Sequence, residues 1–192
     1  MIDGMLASGN GSRLAMTETA RKRLLPSSKN WIWKMTDVMS PQQRSELMAR
    51  IRGTRNESTE MALARLLRAA HLSGWRRHSR ISWQAEHLSP SLRKILLKNN
   101  FRASVVPDFM FRERRTVLFI DGCFWHSCPQ HGTVPSSNVD YWGPKLLRNR
   151  NRDRFVDAAL CHLGWTVLRV WEHELKQPER LTNWLLRQLN PG

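Results

Sequence analysis

The sequence predicts an α/β fold in which helices flank a mixed β-sheet. Hydrophobic residues make up 41% of the 192 residues and charged residues only 24%, so the chain has enough apolar side chains to bury a core. The predicted elements run in the order helix, helix, strand, strand, helix, strand, helix. Residues 165–171 are mostly apolar on both faces, which is typical of a strand that is covered on both sides.

The first residues of the chain predict a basic extension that does not take part in the fold. Residues 1–34 show no sustained helical or strand period, and six Lys and Arg stand against two Asp and Glu, a net charge of +4. We therefore predict a disordered extension over 1–34 and one folded domain over 35–192. Met35 is an alternative start of translation.

Two helices are predicted at the start of the domain. Ser40 and Pro41 supply an N-cap hydroxyl and a proline at the first helical position, and Gln43 is placed to reach back in a capping box. This helix ends at Gly53. A second helix over 58–70 follows from its apolar residues, which fall on one side: Leu63, Leu66, Leu67 and Ala70.

The middle of the chain predicts a helix followed by a β-hairpin. The short helix over 91–99 is capped by Ser89 and Pro90. Strands over 105–111 and 116–121 are separated by a short charged turn, which favours an antiparallel hairpin.

The C-terminal part predicts a loop, a long helix, a strand and a last helix. The loop covers 122–138, and the long helix runs over 145–163 until Gly164 stops it. The apolar strand over 165–171 follows, and the last helix covers 178–189 with its leucines on one side.

Charge and cysteine content restrict the partners and the compartment. The 31 Lys and Arg exceed the 16 Asp and Glu by 15, and this excess indicates a polyanionic partner. No apolar run reaches the roughly 18 residues of a membrane span, and no secretory signal is visible, so we predict a cytoplasmic protein without membrane contact. Three Cys argue against a disulfide framework.

A cysteine and histidine motif follows the second predicted strand. Cys123, Cys128 and His131 lie within nine residues, and two thiols with an imidazole are a ligand set for tetrahedral zinc. The fourth ligand is Cys161 or His173. We favour His173, because a strand end can lie beside the loop that leaves a neighbouring strand, whereas a helix would bury Cys161. A core thiol and an ordinary loop histidine are the alternative interpretation.

Acidic residues of the predicted hairpin indicate a site for a divalent cation. Asp108 lies on the first strand and Asp121 ends the second, so antiparallel pairing can bring the two carboxylates together. Adjacent carboxylates repel, and a cation such as Mg²⁺ relieves that repulsion. Glu60 on the preceding helix is a third candidate, with Glu57 as its alternate. His126, with an intrinsic pKa of about 6.5, is placed to accept a proton from water.

Aromatic and basic residues indicate contacts with DNA. Phe124, Trp125, Tyr141 and Trp142 occupy predicted loops, where apolar rings can wedge between base pairs. Capping of the zinc loop and the sheet edge is the alternative. The predicted long helix begins with four arginines that can bind phosphates, Arg148, Arg150, Arg152 and Arg154. A helix face that is simply solvated is the alternative interpretation.

Several segments together resemble the very short patch repair (Vsr) endonucleases, in order and in spacing, from about residue 35 to 174. The most specific is the string Gly-Cys-Phe-Trp-His at 122–126. The others are 35–45, 51–54, Glu60, 107–109, Asp121, 141–142, 151–153 and 164–172.

This resemblance implies a restriction-endonuclease-like fold and an Mg²⁺-dependent enzyme. Such an enzyme nicks double-stranded DNA on the 5′ side of the T in a T·G mismatch that arises from deamination of 5-methylcytosine. It implies Asp108 as the principal Mg²⁺ ligand, His126 as the base that activates water, and Glu60 as a supporting acidic residue.

The resemblance also implies DNA-intercalating rings and a structural zinc. The intercalating rings would be Phe124, Trp125 and Trp142. Three of the predicted zinc ligands fall at or beside the family's ligand positions, and these are Cys123, Cys128 and His173. His131 is one residue away from the fourth position.

The sequence departs from the family in three respects. Asp121 stands where the best-known member has a histidine that assists catalysis, so we assign it as a second Mg²⁺ ligand. The lysine that is usual in the wider nuclease superfamily is replaced by Cys123. Residues 84–103 form an insertion before the first strand of the hairpin, where they would alter DNA binding or sequence preference.

The predicted function is DNA mismatch repair by a monomeric nicking endonuclease at the bacterial nucleoid, with other DNA repair proteins as further partners. Two alternatives are a restriction-type or strand-nicking endonuclease of other specificity, and a non-catalytic, zinc-stabilised DNA-binding module. The sequence leaves open the flanking bases, the partner proteins, and whether Asp121 binds metal or transfers a proton.

Overall fold

A computed structural model describes residues 34–35, 40, 42–43, 57–136 and 138–190. Its elements, in chain order, are β1 (Lys34–Met35), a π-helical turn (Glu57–Met61), α1 (Ala62–Ala69), β2 (Trp75–Arg77), β3 (Ile81–Ser82), a 3₁₀ turn (Ala85–His87), α2 (Pro90–Lys98), β4 (Ser104–Val105), β5 (Phe109–Phe111), β6 (Thr116–Asp121), β7 (Val134–Pro135), α3 (Val139–His162), β8 (Thr166–Trp171), a second 3₁₀ turn (Glu172–Lys176) and α4 (Pro178–Leu189).

The central sheet is mixed, as predicted, with four strands in the order β2-β5-β6-β8. β5 pairs antiparallel with both β2 and β6, whereas β6 and β8 run parallel. In the parallel pair Thr116 lies opposite Thr166 and Asp121 lies opposite Trp171. The carboxyl ends of β6 and β8 therefore meet at one edge of the sheet.

The predicted hairpin is present, but its first strand is interrupted. Instead of one strand over 105–111, the chain forms β4, which pairs with β3 in a separate two-stranded sheet, and β5, which pairs with β6. Pro107 lies between them and has no N–H to donate to a strand ladder. The carboxylate of Asp108 accepts the backbone N–H of Ile120 instead, at 2.8 Å.

Helices cover both faces of this sheet. On one face α1 and α4 pack against β5, β6 and β8. The leucines that the helical periodicity predicted are buried there, namely Leu63, Leu67, Leu181, Leu185 and Leu189. On the other face α2 and α3 pack over the alternate residues of the same strands: Leu96, Met110, Val117, Phe119, Phe155, Val156, Ala159, Leu160 and Val167. β8 is therefore buried from both sides, as its apolar sequence predicted.

Several predicted helices agree closely with the structure. α4 matches its predicted bounds, and α2 lies within one residue of its own, with the Leu92 N–H donating to the Ser89 hydroxyl as the cap. The helix predicted over 58–70 comprises the π-helical turn and α1. No helix in the described ranges is long and apolar enough to span a membrane.

The long helix α3 begins six residues before the predicted start. Gly143 and Pro144 suggested a loop, since both residues disfavour the interior of a helix. The helix nevertheless begins at Val139, where the carbonyl of Asn138 accepts two backbone N–H groups at 3.0 Å, those of Tyr141 and Trp142. Both aromatic residues therefore lie on a helix, which corrects their predicted position on a loop.

Two predictions for the N-terminal region lie largely outside the described residues. The capping box is present: the Gln43 N–H donates to Ser40 Oγ at 3.2 Å, and the Ser40 N–H donates to Gln43 Oε1 at 2.8 Å. The end of that helix at Gly53 and the extension up to residue 33 are not described. Residue 34 belongs to β1, which pairs parallel with β7.

Candidate functional site

A cavity of about 790 Å³ opens between α3 and residues 100–105, above the β5–β6 hairpin. Three carboxylates and one imidazole line it: Asp108, Asp121, Asp153 and His126. The predicted principal metal ligand, the predicted second carboxylate and the predicted base therefore share one cavity. Asp153 was not predicted as a site residue.

Asp108 is a carboxyl whose charge is disfavoured by its surroundings. Burial raises its pKa to about 6, and the nearby carboxylates of Glu60 and Asp121 add to the rise. The hydrogen bond from the Ile120 N–H and the charge of His78 oppose this effect. A carboxyl in this position gains from a bound cation, since the cation favours the ionised form.

Glu60, His78 and Asp108 form a cluster whose ligand atoms all lie within 4.8 Å of one another. Glu60 is buried, and its Oε2 accepts from Arg77 at 2.9 Å and lies 2.8 Å from His78 Nε2. His78, which the sequence did not indicate, has a left-handed backbone with φ of 50°. Such a conformation is uncommon outside glycine and recurs at functional sites. The side chain of Glu57, the predicted alternate, is not described.

Asp121 makes a buried ion pair with Arg169. Arg169 Nη1 donates to Asp121 Oδ1 at 2.7 Å, while Nε and Nη2 face the carboxylate of Asp157 at 2.8–3.1 Å. The guanidinium also lies 4.5 Å from the ring centroid of Phe119. The structure thus brings Asp121 to the cavity, as predicted, but engages it with a cation of the protein itself.

His126 forms a short hydrogen bond with Asp153. Its Nδ1 lies 2.6 Å from Asp153 Oδ2 and 3.6 Å from Asp121 Oδ1. Burial favours the neutral form of Asp153, but the bond with His126 and the charges of Arg169 and Arg152 outweigh it, so the pKa of Asp153 is lowered. An ionised carboxylate on Nδ1 fixes the ring and leaves the lone pair on Nε2.

The four predicted zinc residues lie together at the edge where β6 and β8 end. Cys123, Cys128, His131 and His173 have ligand atoms within 4.8 Å of one another. His173 Nδ1 is 3.2 Å from Cys123 Sγ and 3.6 Å from Cys128 Sγ, and His131 Nδ1 is 3.9 Å from Cys128 Sγ. A tetrahedral zinc places its sulfur and nitrogen ligands about 3.6 Å apart, so these distances fit. Cys161 lies on α3, outside this cluster.

The thiol of Cys123 has a raised pKa in the absence of metal. Burial is the main cause, the neighbouring Cys128 adds to it, and the pKa reaches about 11. A bound metal ion reverses this preference, because the thiolate is the form that ligates.

The predicted intercalating rings form one aromatic cluster. The ring centroid of Phe124 lies 5.0 Å from that of Trp125 and 5.2 Å from that of Trp142. Phe124 and Trp125 are partly exposed, whereas Trp142 is only 4% exposed. Trp142 therefore packs behind the other two rings.

Two of the four predicted arginines of α3 line the cavity. Arg148 lies 5.8 Å from the ring centroid of Phe101, and Arg152 lies 3.3 Å from Asp153 Oδ1. Arg150 and Arg154 are not among the residues that line it.

The cavity has the composition of a site that hydrolyses phosphodiester bonds. Carboxylates that suit a divalent cation, a histidine oriented by an aspartate and flanking arginines are the groups that this reaction requires. A non-catalytic DNA-binding module, the second alternative, has no need of them.

Comparison with known proteins assigns the family. Residues 92–130 match the family described as DNA mismatch endonuclease Vsr. The chain is 38% identical over 160 residues to the type II nicking enzyme V.XorIIP of Xanthomonas oryzae pv. oryzae, an alignment that covers 82% of this chain and 100% of that protein. The chain belongs to the Vsr family of DNA endonucleases, and this membership implies the restriction-endonuclease-like fold.

Two further relatives align over shorter stretches. The type II nicking enzyme V.NaeI of Lentzea aerocolonigenes is 54% identical over 79 residues, which is 41% of this chain and 48% of that protein. The DNA mismatch endonuclease Vsr of Escherichia coli is 42% identical over 78 residues, which is 40% of this chain and 50% of that protein. Both alignments span about half of the relative.

Proposed function

We propose that this endonuclease nicks duplex DNA on the 5′ side of the T in T·G mismatches that arise from deamination of 5-methylcytosine, with Mg²⁺ as cofactor. The observation that carries the proposal is the oriented His126–Asp153 pair, which lines the same cavity as Asp108. The presence of a relative named DNA mismatch endonuclease supports the mismatch as substrate.

Asp108 and Glu60 are the proposed ligands of the divalent cation, with His78 beside them. Their donor atoms are close enough to share one ion, and oxygen donors are those that Mg²⁺ prefers. When bound, the cation would polarise the scissile phosphate and stabilise its developing charge. Asp108 would hold this cation, and the Ile120 N–H fixes the carboxylate.

His126 is the proposed general base. With Nδ1–H donated to Asp153, its Nε2 accepts a proton from the attacking water. Asp121 lies 3.6 Å from the same ring and is held by Arg169, so we assign it to positioning His126 rather than to metal binding. This assignment replaces the predicted pair of Asp108 and Asp121 as the two metal ligands.

A structural zinc is proposed for the cluster of Cys123, Cys128, His131 and His173. Two thiols and two imidazoles at these distances form a closed tetrahedral set, which is typical of structural rather than catalytic zinc. His126 lies between the two cysteines along the chain. The cluster would therefore hold the loop that carries the proposed base.

The aromatic cluster is the proposed wedge at the mismatch. Phe124 and Trp125 would insert beside the mispaired bases, and Trp142 would support them from behind. Arg148 and Arg152 are proposed to bind backbone phosphates at the mouth of the cavity.

A second candidate function is strand nicking with another specificity. It is favoured by the relatives whose names describe type II nicking enzymes, V.XorIIP and V.NaeI among them. Both candidates use the same active site and differ only in the duplex that they cut.

One experiment separates the two candidates. Labelled duplexes with a single T·G mismatch in several flanking contexts are incubated with the protein and Mg²⁺, and matched T·A duplexes serve as controls. A single nick 5′ of the mispaired T supports mismatch repair. Equal cleavage of both duplexes supports the second candidate, and no Mg²⁺-dependent cleavage of any duplex contradicts both.

We also propose that the protein works as a monomer in the cytoplasm, at the nucleoid, together with other DNA repair proteins. Its DNA substrate is the basis for this placement. Light scattering of the protein with and without a short duplex would measure the stoichiometry, and a dimer on one site would contradict the monomer.

A further inference from the structure

One wall of the catalytic cavity is built by a unit that lies outside the central sheet. β3 and β4 pair antiparallel and close the segment 81–105 at its base. Between them lie a 3₁₀ turn and α2. The segment thus leaves the main fold after β2 and returns to it just before Asp108.

The segment is fixed firmly against α3. Its residues Trp83, Leu88 and Leu96 are buried in the core cluster that includes Leu160 of α3. The rings of Phe101 and Phe155 lie 5.4 Å apart. A wall with this packing keeps its position without DNA, so its side chains have a defined direction relative to the catalytic residues.

The two walls of the cavity each carry two arginines. Arg148 and Arg152 of α3 line the cavity, and so do Arg80 and Arg102, which lie at the base of the segment. Arg80 Nη1 donates to Ser104 Oγ at 3.3 Å. Within the described part of the chain, neither Arg80 nor Arg102 forms an ion pair with a carboxylate.

The charges of this cavity are arranged by depth. Its three aspartates are buried or partly buried, whereas Arg80 and Arg102 are exposed. The buried cation of the lining, Arg169, is already paired with Asp121 and Asp157. A cationic rim above an acidic floor fits a polyanion whose reacting group goes to the floor while neighbouring charges stay at the rim.

We propose that the segment 81–105, together with Arg80 directly before it, is a second DNA-binding element, in which Arg80 and Arg102 bind backbone phosphates of the nicked strand. This inference rests on the proposed function, because it takes duplex DNA as the substrate of this cavity. The strand enters between two basic walls, and its scissile phosphate reaches Asp108 and His126 with phosphates on both sides held. The segment thereby sets the position of the strand along the cavity.

The test compares two double variants that remove the same charge. Arg80→Ala/Arg102→Ala removes the two cations at the cavity. Lys94→Ala/Lys98→Ala is the matched control, because both lysines are exposed on α2 of the same segment and do not line the cavity. Thermal unfolding of both variants checks that the segment remains folded.

Binding to a T·G duplex is measured by fluorescence anisotropy, without divalent cation, over a range of salt concentrations. Log affinity falls linearly with log salt concentration, and each lost phosphate contact reduces the magnitude of this slope by about 1. The arginine variant is therefore expected to have a slope that is smaller in magnitude by about 2. Its affinity at about 0.1 M salt should fall roughly tenfold. The lysine variant should keep the wild-type slope, and equal slopes for the two variants would overturn the proposal.

Replacing single phosphates of the DNA by neutral analogues identifies which phosphates Arg80 and Arg102 contact. Methylphosphonates placed one at a time along the nicked strand should weaken binding of the wild-type protein at the phosphates that Arg80 and Arg102 hold. At those phosphates the arginine variant should lose no further affinity, and additive losses there would contradict a direct contact. If the wild-type protein neither binds nor nicks the T·G duplex, the proposed function fails; if it nicks and the variants behave alike, only this inference fails.

Discussion

Arg169 and Asp121 form an ion pair of 2.7 Å between neighbouring strands, with side chains only 7% and 4% exposed. Burial alone would lower the pKa of Arg169, but the carboxylates of Asp121 and Asp157 outweigh it and the pKa is raised. The guanidinium is therefore a permanent cation beneath the catalytic cavity. It balances the charges of Asp121 and Asp157, of which Asp121 lies 3.6 Å from His126.

Replacing Arg169 with Met should destabilise the fold strongly. Removing one partner of a buried ion pair leaves the other charge uncompensated, at a cost of about 3–5 kcal/mol. Urea unfolding measures this loss, and Arg187→Met on the exposed side of α4 is the control, with an expected change under about 0.5 kcal/mol. Adding Asp121→Asn and Asp157→Asn to Arg169→Met should restore much of the stability; no restoration would contradict the electrostatic explanation.

Asp108→Asn should abolish nicking and still leave a protein that binds DNA. The same change should stabilise the metal-free protein at neutral pH, because folding raises the pKa of Asp108 from 3.8 to about 6 and so disfavours its charge. The penalty grows as the pH rises from about 4 to 6 and is complete above, where it amounts to about 2–3 kcal/mol. Denaturant unfolding at pH 5 and 7.5 checks the sign, and parallel loss of nicking and DNA binding would sink the assignment.

Divalent cation binding should weaken as the pH falls through about 6. Below that pKa a proton competes for the Asp108 carboxylate, so the affinity should drop about tenfold per pH unit. Titration calorimetry with Mg²⁺ or Mn²⁺ between pH 5 and 8 measures this dependence. A pH-independent affinity over that range would show that Asp108 does not hold the cation.

Asp153→Asn should reduce the nicking rate by about 10²–10⁴-fold, because His126 loses the carboxylate that orients its ring. DNA affinity should change little. Asp140→Asn is the matched control, since Asp140 is an exposed aspartate on the same helix. Single-turnover nicking at saturating enzyme separates the change in nicking rate from any change in DNA affinity. Equal nicking rates for the two variants would remove Asp153 from the mechanism.

Cys128→Ser should lower both zinc content and stability. Cys128 is fully buried in the cluster, and loss of one ligand opens a closed tetrahedral set. Cys161→Ser, outside the cluster, should keep one zinc per chain. Elemental analysis of the purified proteins measures the metal, and absence of zinc from the wild-type protein would refute the zinc centre.

Local patterns in the sequence predicted most of the fold. The period of leucines predicted α1 and α4, and the Ser89-Pro90 pair predicted the start of α2. The start of α3 was missed because Gly143 and Pro144 oppose helix formation locally, while packing of Trp142 favours it. Tertiary contacts here outweigh intrinsic propensity.

The candidate site was only partly predictable, since its contacts join residues far apart in sequence. His126 and Asp153 are separated by 27 residues, His78 and Glu60 by 18, and no local period encodes such pairs. One signal was available: Arg169 is the only charged residue in the apolar strand β8. A lone charge in a strand that is covered on both faces predicts a buried partner.

The parallel pairing of β6 with β8 joins parts of the site that are synthesised at different times. Asp108, His126 and Asp153 leave the ribosome before Thr166–Trp171, the strand that brings Arg169 beneath the cavity. His173, the partner of Cys123 across 50 residues, follows later still. A nascent or truncated chain therefore carries the catalytic side chains without the strand that supports them. We expect that only a polypeptide that includes β8 and His173 cuts DNA.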